Sequence, residues 1–229
     1  MAVMAATLTE DLIQIYDALF AAFGHQHWWP AKTPFETMVG AILTQNVSWT
    51  NAAQAIANLE DAGMLDPRLL AEADTADIAP LIVPSRYYNQ KAERIREFSR
   101  VYVREFRADP AAMAAMETGE LRERLLALRG FGKETTDTIL LYVCEKPVFV
   151  VDAYTRRIFS RYGFLPEGAS YDLTQRLFAE NLEPDAELFN DYHAQIVRLG
   201  NTICKRSPLC DRCPIREVRG TLRCAVGRG

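Results

Sequence analysis

No apolar run in this chain reaches the length that a bilayer-spanning helix needs. The first residues, "MAVMAATLTEDLI", lack a charged leading region and a long apolar stretch, so no secretory leader is expected and the expected compartment is the cytoplasm. No series of alternating apolar and polar residues marks out a sheet, and nothing repeats at solenoid periods. An excess of positive charge is lacking too. The formal net charge is −4, which by itself argues against a nucleic-acid binder. What remains is 229 residues with 49% hydrophobic content, enough for one large or two small cores.

The charge is unevenly spread. From Arg198 to Gly229 eight Lys or Arg oppose two acids, a net +6, whereas from Glu60 to Asp77 six acids oppose one arginine, a net −5. A charge run is ordinarily a solvated face. The basic end therefore carries no meaning without a motif beside it.

Helical spacing runs almost throughout. Leu12, Ile15, Tyr16 and Leu19 share one face of a helix expected over Leu8 to Phe23, with Thr7 and Glu10 spaced as a capping box. Further helices are expected from Pro34, after an N-cap at Ser48, over Tyr87 to Phe106, from Thr118, over Asp152 to Tyr162, over Tyr171 to Asn181 and over Ala186 to Gly200. Seven prolines (Pro30, Pro67, Pro84, Pro110, Pro147, Pro166 and Pro184) fall between these segments, where proline is tolerated. The one strand-like run, "PVFVVD", is short. The expected fold class is all-α.

In "LRGFGKETTDTILLYV" two glycines, Gly130 and Gly132, separate two helical runs. Gly130 suits a left-handed helix end, and Gly132 permits a second tight turn before helix resumes at Lys133. Small residues at a helix N-terminus let a phosphate approach the partly positive backbone. A short αα-turn with no ligand has the same signature. Asp152 follows about twenty residues on, with Arg156, Arg157 and Arg161 in its helix. An aspartate opening a helix is ordinarily an N-cap.

Four cysteines, Cys204, Cys210, Cys213 and Cys224, fall within 21 residues, two of them as Cys-x-x-Cys. In an intracellular chain that pattern points to a soft metal, and the spacing leaves zinc and an iron–sulfur cluster both open. Cys144 lies in an apolar helix and reads as a core thiol.

Taken together, "LRGFGKETTDTILLYV…VFVVDAYTRRIFSRYG" resembles the helix-hairpin-helix, Gly-Pro-Asp superfamily of DNA glycosylases, on the endonuclease III branch. The resemblance covers roughly residues 8 to 224. It implies two helical domains: a six-helix barrel over 33–145, with the hairpin motif at about 121–143, and a cluster domain formed by 1–32 and 146–229. It implies that Gly130, Gly132 and Lys133 grip the backbone of duplex DNA, with a monovalent cation at the hairpin, and that Asp152 is the catalytic carboxylate. The usual Gly-Pro before that aspartate is absent. The resemblance also selects a [4Fe–4S] cluster for Cys204, Cys210, Cys213 and Cys224, although the last loop is longer here than the family's usual spacing. Basic residues around the cysteines then fit a DNA-facing loop. No membrane partner is implied, and the expected state is a monomer.

Bifunctional members carry a lysine two residues past the second glycine, where this chain has Glu134. Lys133 lies one step earlier, rotated by about 100° around the helix. The expectation is a glycosylase without lyase activity. "HWWP", with Trp28, Trp29 and Pro30, followed by "AILTQN" and Trp49, resembles the 3-methyladenine DNA glycosylase III subfamily. There the matching aromatics line the pocket and stack on an alkylated base, and the glutamine matching Gln45 fills the hole left by the flipped nucleotide. Tryptophans of this kind are otherwise core or interface residues. Two departures stand out: Arg86 in "VPSRYYNQKAERI", where glycine is usual, and Asn201, where a lysine is common. His193 reads equally as a pocket residue or as a buried structural one. Two other functions remain open: an endonuclease III-like pyrimidine glycosylase with lyase activity, and a catalytically weak DNA-binding damage sensor.

Overall fold

The computed structural model describes residues 2–216, 218 and 224, and residues 2–7 by their backbone alone. Among the described residues there are twelve α-helices and no strand. In chain order the first six are α1 (Ala2–Phe23), α2 (Pro34–Leu43), α3 (Trp49–Asp61), α4 (Pro67–Glu72), α5 (Thr75–Ile78) and α6 (Tyr88–Phe106). The other six are α7 (Pro110–Ala114), α8 (Thr118–Leu126), α9 (Lys133–Tyr142), α10 (Ala153–Arg161), α11 (Tyr171–Ala179) and α12 (Ala186–Thr202). The chain forms two compact units, one of Met1–Trp28 with Pro147–Gly229, the other of Trp29–Lys146.

The Trp29–Lys146 unit holds α2 to α9. Side-chain caps set most of their starts: Thr33 Oγ1 accepts from the Glu36 N–H at 3.1 Å, Ser48 Oγ from Asn51 at 3.4 Å, and Asp66 Oδ1 from Arg68 and Leu69. Proline follows the cap directly in α2, α4 and α7, where its missing N–H costs nothing. The aspartate starts at Asp66, Asp74 and Asp109 add the three short helices α4, α5 and α7 to the five long ones. Helix α2 is buried from Phe35 to Leu43 and forms the centre. Helix α6 packs beside it through Ala92, Ile95, Phe98, Tyr102 and Phe106, spaced three and four apart. Tyr102 stacks between Phe35 and Phe98, with ring centroids 5.8 and 5.9 Å away.

The other unit is built from α1, α10, α11 and α12 around an aromatic core. Phe149 stacks on Phe178 at 3.7 Å, and Phe159, Phe189 and Tyr192 pack edge-on around them. Buried Asp191 joins α12 to α1 and the turn after it, accepting from Tyr16 Oη, the Gln26 N–H and Gln195 Nε2, each at 3.1 Å. Burial and that carboxylate push the Tyr16 phenol up to about 12.

One expectation is corrected. The first helix begins at Ala2, five residues before Thr7, so Thr7 and Glu10 do not open it. "PVFVVD" forms no strand. Phe149, Val150 and Val151 are buried, and side chains of α11 take the place of a partner strand. Gln175 Nε2 donates to the Phe149 carbonyl at 2.8 Å, and the Val151 N–H donates to Tyr171 Oη at 3.4 Å.

Candidate functional site

The hairpin between α8 and α9 is fixed from three sides within its unit. Phe131, between the two glycines, is buried against Phe98 with centroids 5.5 Å apart. The Arg122 guanidinium clamps fully buried Asp137 through two hydrogen bonds, 2.7 and 3.0 Å, joining α8 to α9. Gln45 Nε2 donates to the Gly130 carbonyl at 3.1 Å and to Thr135 Oγ1 at 2.8 Å, while its Oε1 accepts from Arg94 at 2.6 Å. The glutamine expected to fill the gap in the duplex is thus engaged on the hairpin in the free protein.

The two glycines differ in kind. Gly130 has φ +81°, and a Cβ there would overlap the Arg94 side chain, so the fold itself requires glycine. Gly132 has φ −93°, which any residue adopts, and a Cβ there would meet nothing within 4 Å. Gly132 opens α9 as its N-cap and supplies no side-chain hydrogen bond. Neither torsion nor packing demands glycine at 132. The bare backbone there leaves open space beside the start of α9. Exposed Glu134 sits in the same first turn, where a carboxylate suits the helix dipole.

The loop that carries Gln45 is tied down by Lys91, which is 1% exposed. Its Nζ donates to the carbonyls of Leu43, Gln45 and Ser85 at 2.8, 2.9 and 2.6 Å. Burial and neighbouring Arg94 push this amine down to about 8. Beside it, Arg86 has φ 56° and ψ 163°, a region that is essentially glycine-only, and Tyr87 follows with φ 45°. This is the position where the resembling subfamily usually has glycine, and the backbone geometry explains that usage.

Trp29 and Trp49 meet edge to face, centroids 5.1 Å apart, and Tyr142 packs against Trp29 at 5.7 Å. All three rings are half-buried, and all belong to one unit. Gly40 lets Trp29 lie against α2, because a Cβ there would come within 3.2 Å of the indole. Tyr142 is the last residue of α9, the helix that starts at the hairpin, and sequence reasoning missed it. Its only signal is its place at the end of that amphipathic run. Pro30 is exposed, and Trp28 falls in the other unit.

Asp152 is the N-cap of α10. Its Oδ1 accepts from the Thr155 N–H at 2.7 Å and from Thr155 Oγ1 at 2.8 Å, and Thr155 completes a capping box. This locks the carboxylate rotamer and leaves Oδ2 facing buried His193, whose Nε2 lies 3.9 Å away. Burial lowers the His193 pKa and Asp152 opposes that, so the ring stands beside the carboxylate as a neutral group near pH 7. Helix α12 is brought against α10 at Gly200, where a Cβ would overlap the Tyr154 ring.

Cys204 follows α12 and receives a hydrogen bond at its Sγ from Arg161, 3.2 Å. Tyr162 donates to the Ile215 carbonyl at 2.6 Å and lies 3.8 Å from Cys213 Sγ. Burial first, then Cys213, Cys224 and Cys204, drive the Tyr162 phenol upward, so three of the four thiols lie in the field of one side chain. Cys210 opens a short turn, Cys210–Arg212. Among the described residues no three His, Cys, Asp or Glu side chains converge closely enough to hold a metal ion. An all-cysteine donor set with three members around Tyr162 suits iron–sulfur chemistry in kind, and the closed coordination geometry is not present. Of the basic end, Arg219, Arg223 and Arg228 lie outside the described residues, as does Glu217. Asn201 is exposed at the end of α12.

Residues 39–184 match the HhH-GPD superfamily of base excision DNA repair proteins. The chain belongs to this superfamily. A protein of Methanocaldococcus jannaschii described as a DNA repair glycosylase is 43% identical over 91% of this chain and 95% of its own length. Endonuclease III of Thermotoga maritima is 30% identical over 80% of this chain and 81% of its own. Among solved structures, H. pylori 3-methyladenine DNA glycosylase bound to 1,N6-ethenoadenine is 28% identical, with a TM-score of 0.71 over 84% of this chain and 96% of that one. A trapped covalent complex of endonuclease III with DNA shares the fold, with a TM-score of 0.78 at 17% identity over 92% of this chain and 94% of that one. Its HhH-GPD membership makes the protein a DNA glycosylase of base excision repair.

Proposed function

We propose that the protein is a monofunctional glycosylase that hydrolyses the N-glycosidic bond of alkylated purines, 3-methyladenine among them. One observation carries the monofunctional part: the lyase position on α9 holds Glu134, and the nearest amine, Lys133, is one residue earlier. Without an amine aimed at the sugar, no Schiff base forms and the strand is not cleaved. The damaged nucleotide flips out of the stack, and its base is held against the Trp29, Trp49 and Tyr142 rings. Electron-rich indole faces favour a base made cationic by alkylation. The glycosidic bond breaks with its electron pair leaving on the base, which departs neutral because alkylation had already charged it. The Asp152 carboxylate, its Oδ1 held by Thr155, stabilises the positive charge that develops on the sugar. Water then adds to the sugar carbon, and Asp152 orients that water and takes up its proton.

Cys204, Cys210, Cys213 and Cys224 would hold the [4Fe–4S] cluster. When bound, it would brace the chain between Cys204 and Cys224 rather than enter the reaction. The test of the substrate class is release of free base, read by chromatography, from duplexes carrying methylated purines and from duplexes carrying oxidised pyrimidines or uracil. Release of methylated purines alone supports the proposal. Release of oxidised pyrimidines alone would replace it with the endonuclease III-like function. Binding with no release from any duplex would leave the damage sensor.

A further inference from the structure

Helix α10 carries more positive charge than this reaction uses. Ala153, Arg156, Arg157, Ser160 and Arg161 line a cavity of about 630 Å³, with the loop 167–169 as its other wall. Their spacing of three and four puts them on one helix face, and the first of them directly follows Asp152.

The three guanidinium groups are held differently. Arg157 donates to the carbonyls of Cys204 and Gly200, both at 2.9 Å, and lies over the Tyr154 ring. Arg161 donates to the Lys205 and Arg206 carbonyls at 2.6 and 3.1 Å and to Cys204 Sγ. These partners fix both side chains, and none of them is a carboxylate. Arg156 is exposed and makes no hydrogen bond or ion pair among the described residues. One carboxylate, Glu167, shares the lining with the three arginines. Lys205 and Arg206, whose carbonyls Arg161 holds, are exposed as well. A chain of net charge −4 thus keeps a cavity with a local excess of cations and one guanidinium fork that has no partner among the described residues.

We infer that this cavity binds a phosphate group, with Arg156 as its movable bidentate ligand and Arg157 and Arg161 as fixed charges behind it. The duplex backbone is the favoured source. Arg156 stands one helical turn, about 6 Å, beyond Asp152, so a strand presenting its sugar to Asp152 continues past it. That source rests on the DNA reaction proposed above. Free phosphate has the same chemistry and would use the same fork.

The test compares the wild type with Arg156→Ala and Arg156→Lys. Affinity for a duplex bearing an uncleavable abasic-site analogue is read by fluorescence anisotropy from 50 to 200 mM salt. Each neutralised phosphate contributes a slope of about 0.9 in log affinity against log salt. Arg156→Ala therefore loses about that slope, an affinity ratio to wild type that changes about threefold across the range, and Arg156→Lys keeps it. In a second arm, inorganic phosphate is added to the protein alone at constant ionic strength, and melting is followed. If phosphate raises the melting temperature of the wild type and not of Arg156→Ala while the DNA slopes agree, the cavity takes free phosphate. Equal slopes together with equal responses to phosphate overturn the inference. If the wild type fails to bind the duplex at all, the DNA reaction is at fault, and the phosphate arm alone decides the cavity.

Discussion

The proposed chemistry draws on the starts of both α9 and α10, and the two helices begin in opposite ways. At the start of α10, Asp152 caps its own helix, and Thr155 answers with both its N–H and its hydroxyl. The start of α9 is Gly132, which provides no side-chain cap and no torsional reason to be glycine. A helix start closed by its own carboxylate holds that carboxylate still, with one oxygen turned elsewhere. A helix start left bare is a place for an anion from outside. The start of α6 is a third kind, where Arg86 and Tyr87 occupy left-handed backbone that glycine would fill without strain.

The comparison can be broken at each of these starts. The largest expected effect is at Asp152. Asparagine caps a helix about as well as aspartate, so Asp152→Asn should melt close to the wild type and keep duplex binding, while base release falls by about a hundredfold or more. Undiminished base release would remove Asp152 from the reaction. The next effect separates the two glycines. Gly132→Val should cost about 1 kcal/mol of stability as a poorer cap, yet lower duplex affinity about tenfold by covering charge-assisted backbone donors. Gly130→Ala should do the reverse, lowering stability by about 1–3 kcal/mol through its positive φ. Melting curves beside anisotropy titrations read both variants. If the two behave alike, the distinction between them fails.

A smaller effect is expected at Lys133. Lys133→Ala should weaken binding evenly across DNA sequences and reduce the salt slope by about 1. Unaltered affinity would refute the bare-start account. The smallest effect is at Arg86. Arg86→Gly should raise the melting temperature, because relief of strain of about 1–3 kcal/mol exceeds the roughly 1 kcal/mol entropic cost of glycine. A lower melting temperature would mean that the arginine side chain contributes more than its backbone strain removes.

The parts of this fold that were legible in the sequence are local ones. Ser48 and Asp152 are legible because a cap acts within three residues of itself, and Pro34 because proline suits the first helical position. Gly130 announced a left-handed turn just as locally. "PVFVVD" reads as strand-like because β-branched residues favour strands, and nothing local reveals that Tyr171 and Gln175 satisfy that backbone. Within the candidate site, contacts distant in sequence stayed hidden. Lys91 reaches back to Leu43 and Gln45, Arg122 reaches Asp137, and Tyr142 meets Trp29. A lysine in an amphipathic helix gives no sign that it will be buried under three carbonyls.

The measurement that goes most directly to the claim is strand cleavage on duplexes carrying methylated purines, with and without alkali. Borohydride is added in parallel to trap any Schiff base. The account predicts breaks only after alkali and no trapped complex, since Asp152 acts without an amine and Glu134 cannot supply one. Breaks without alkali, accompanied by a trapped protein–DNA complex, would show that an amine attacks the sugar and that the monofunctional reading of Glu134 is wrong.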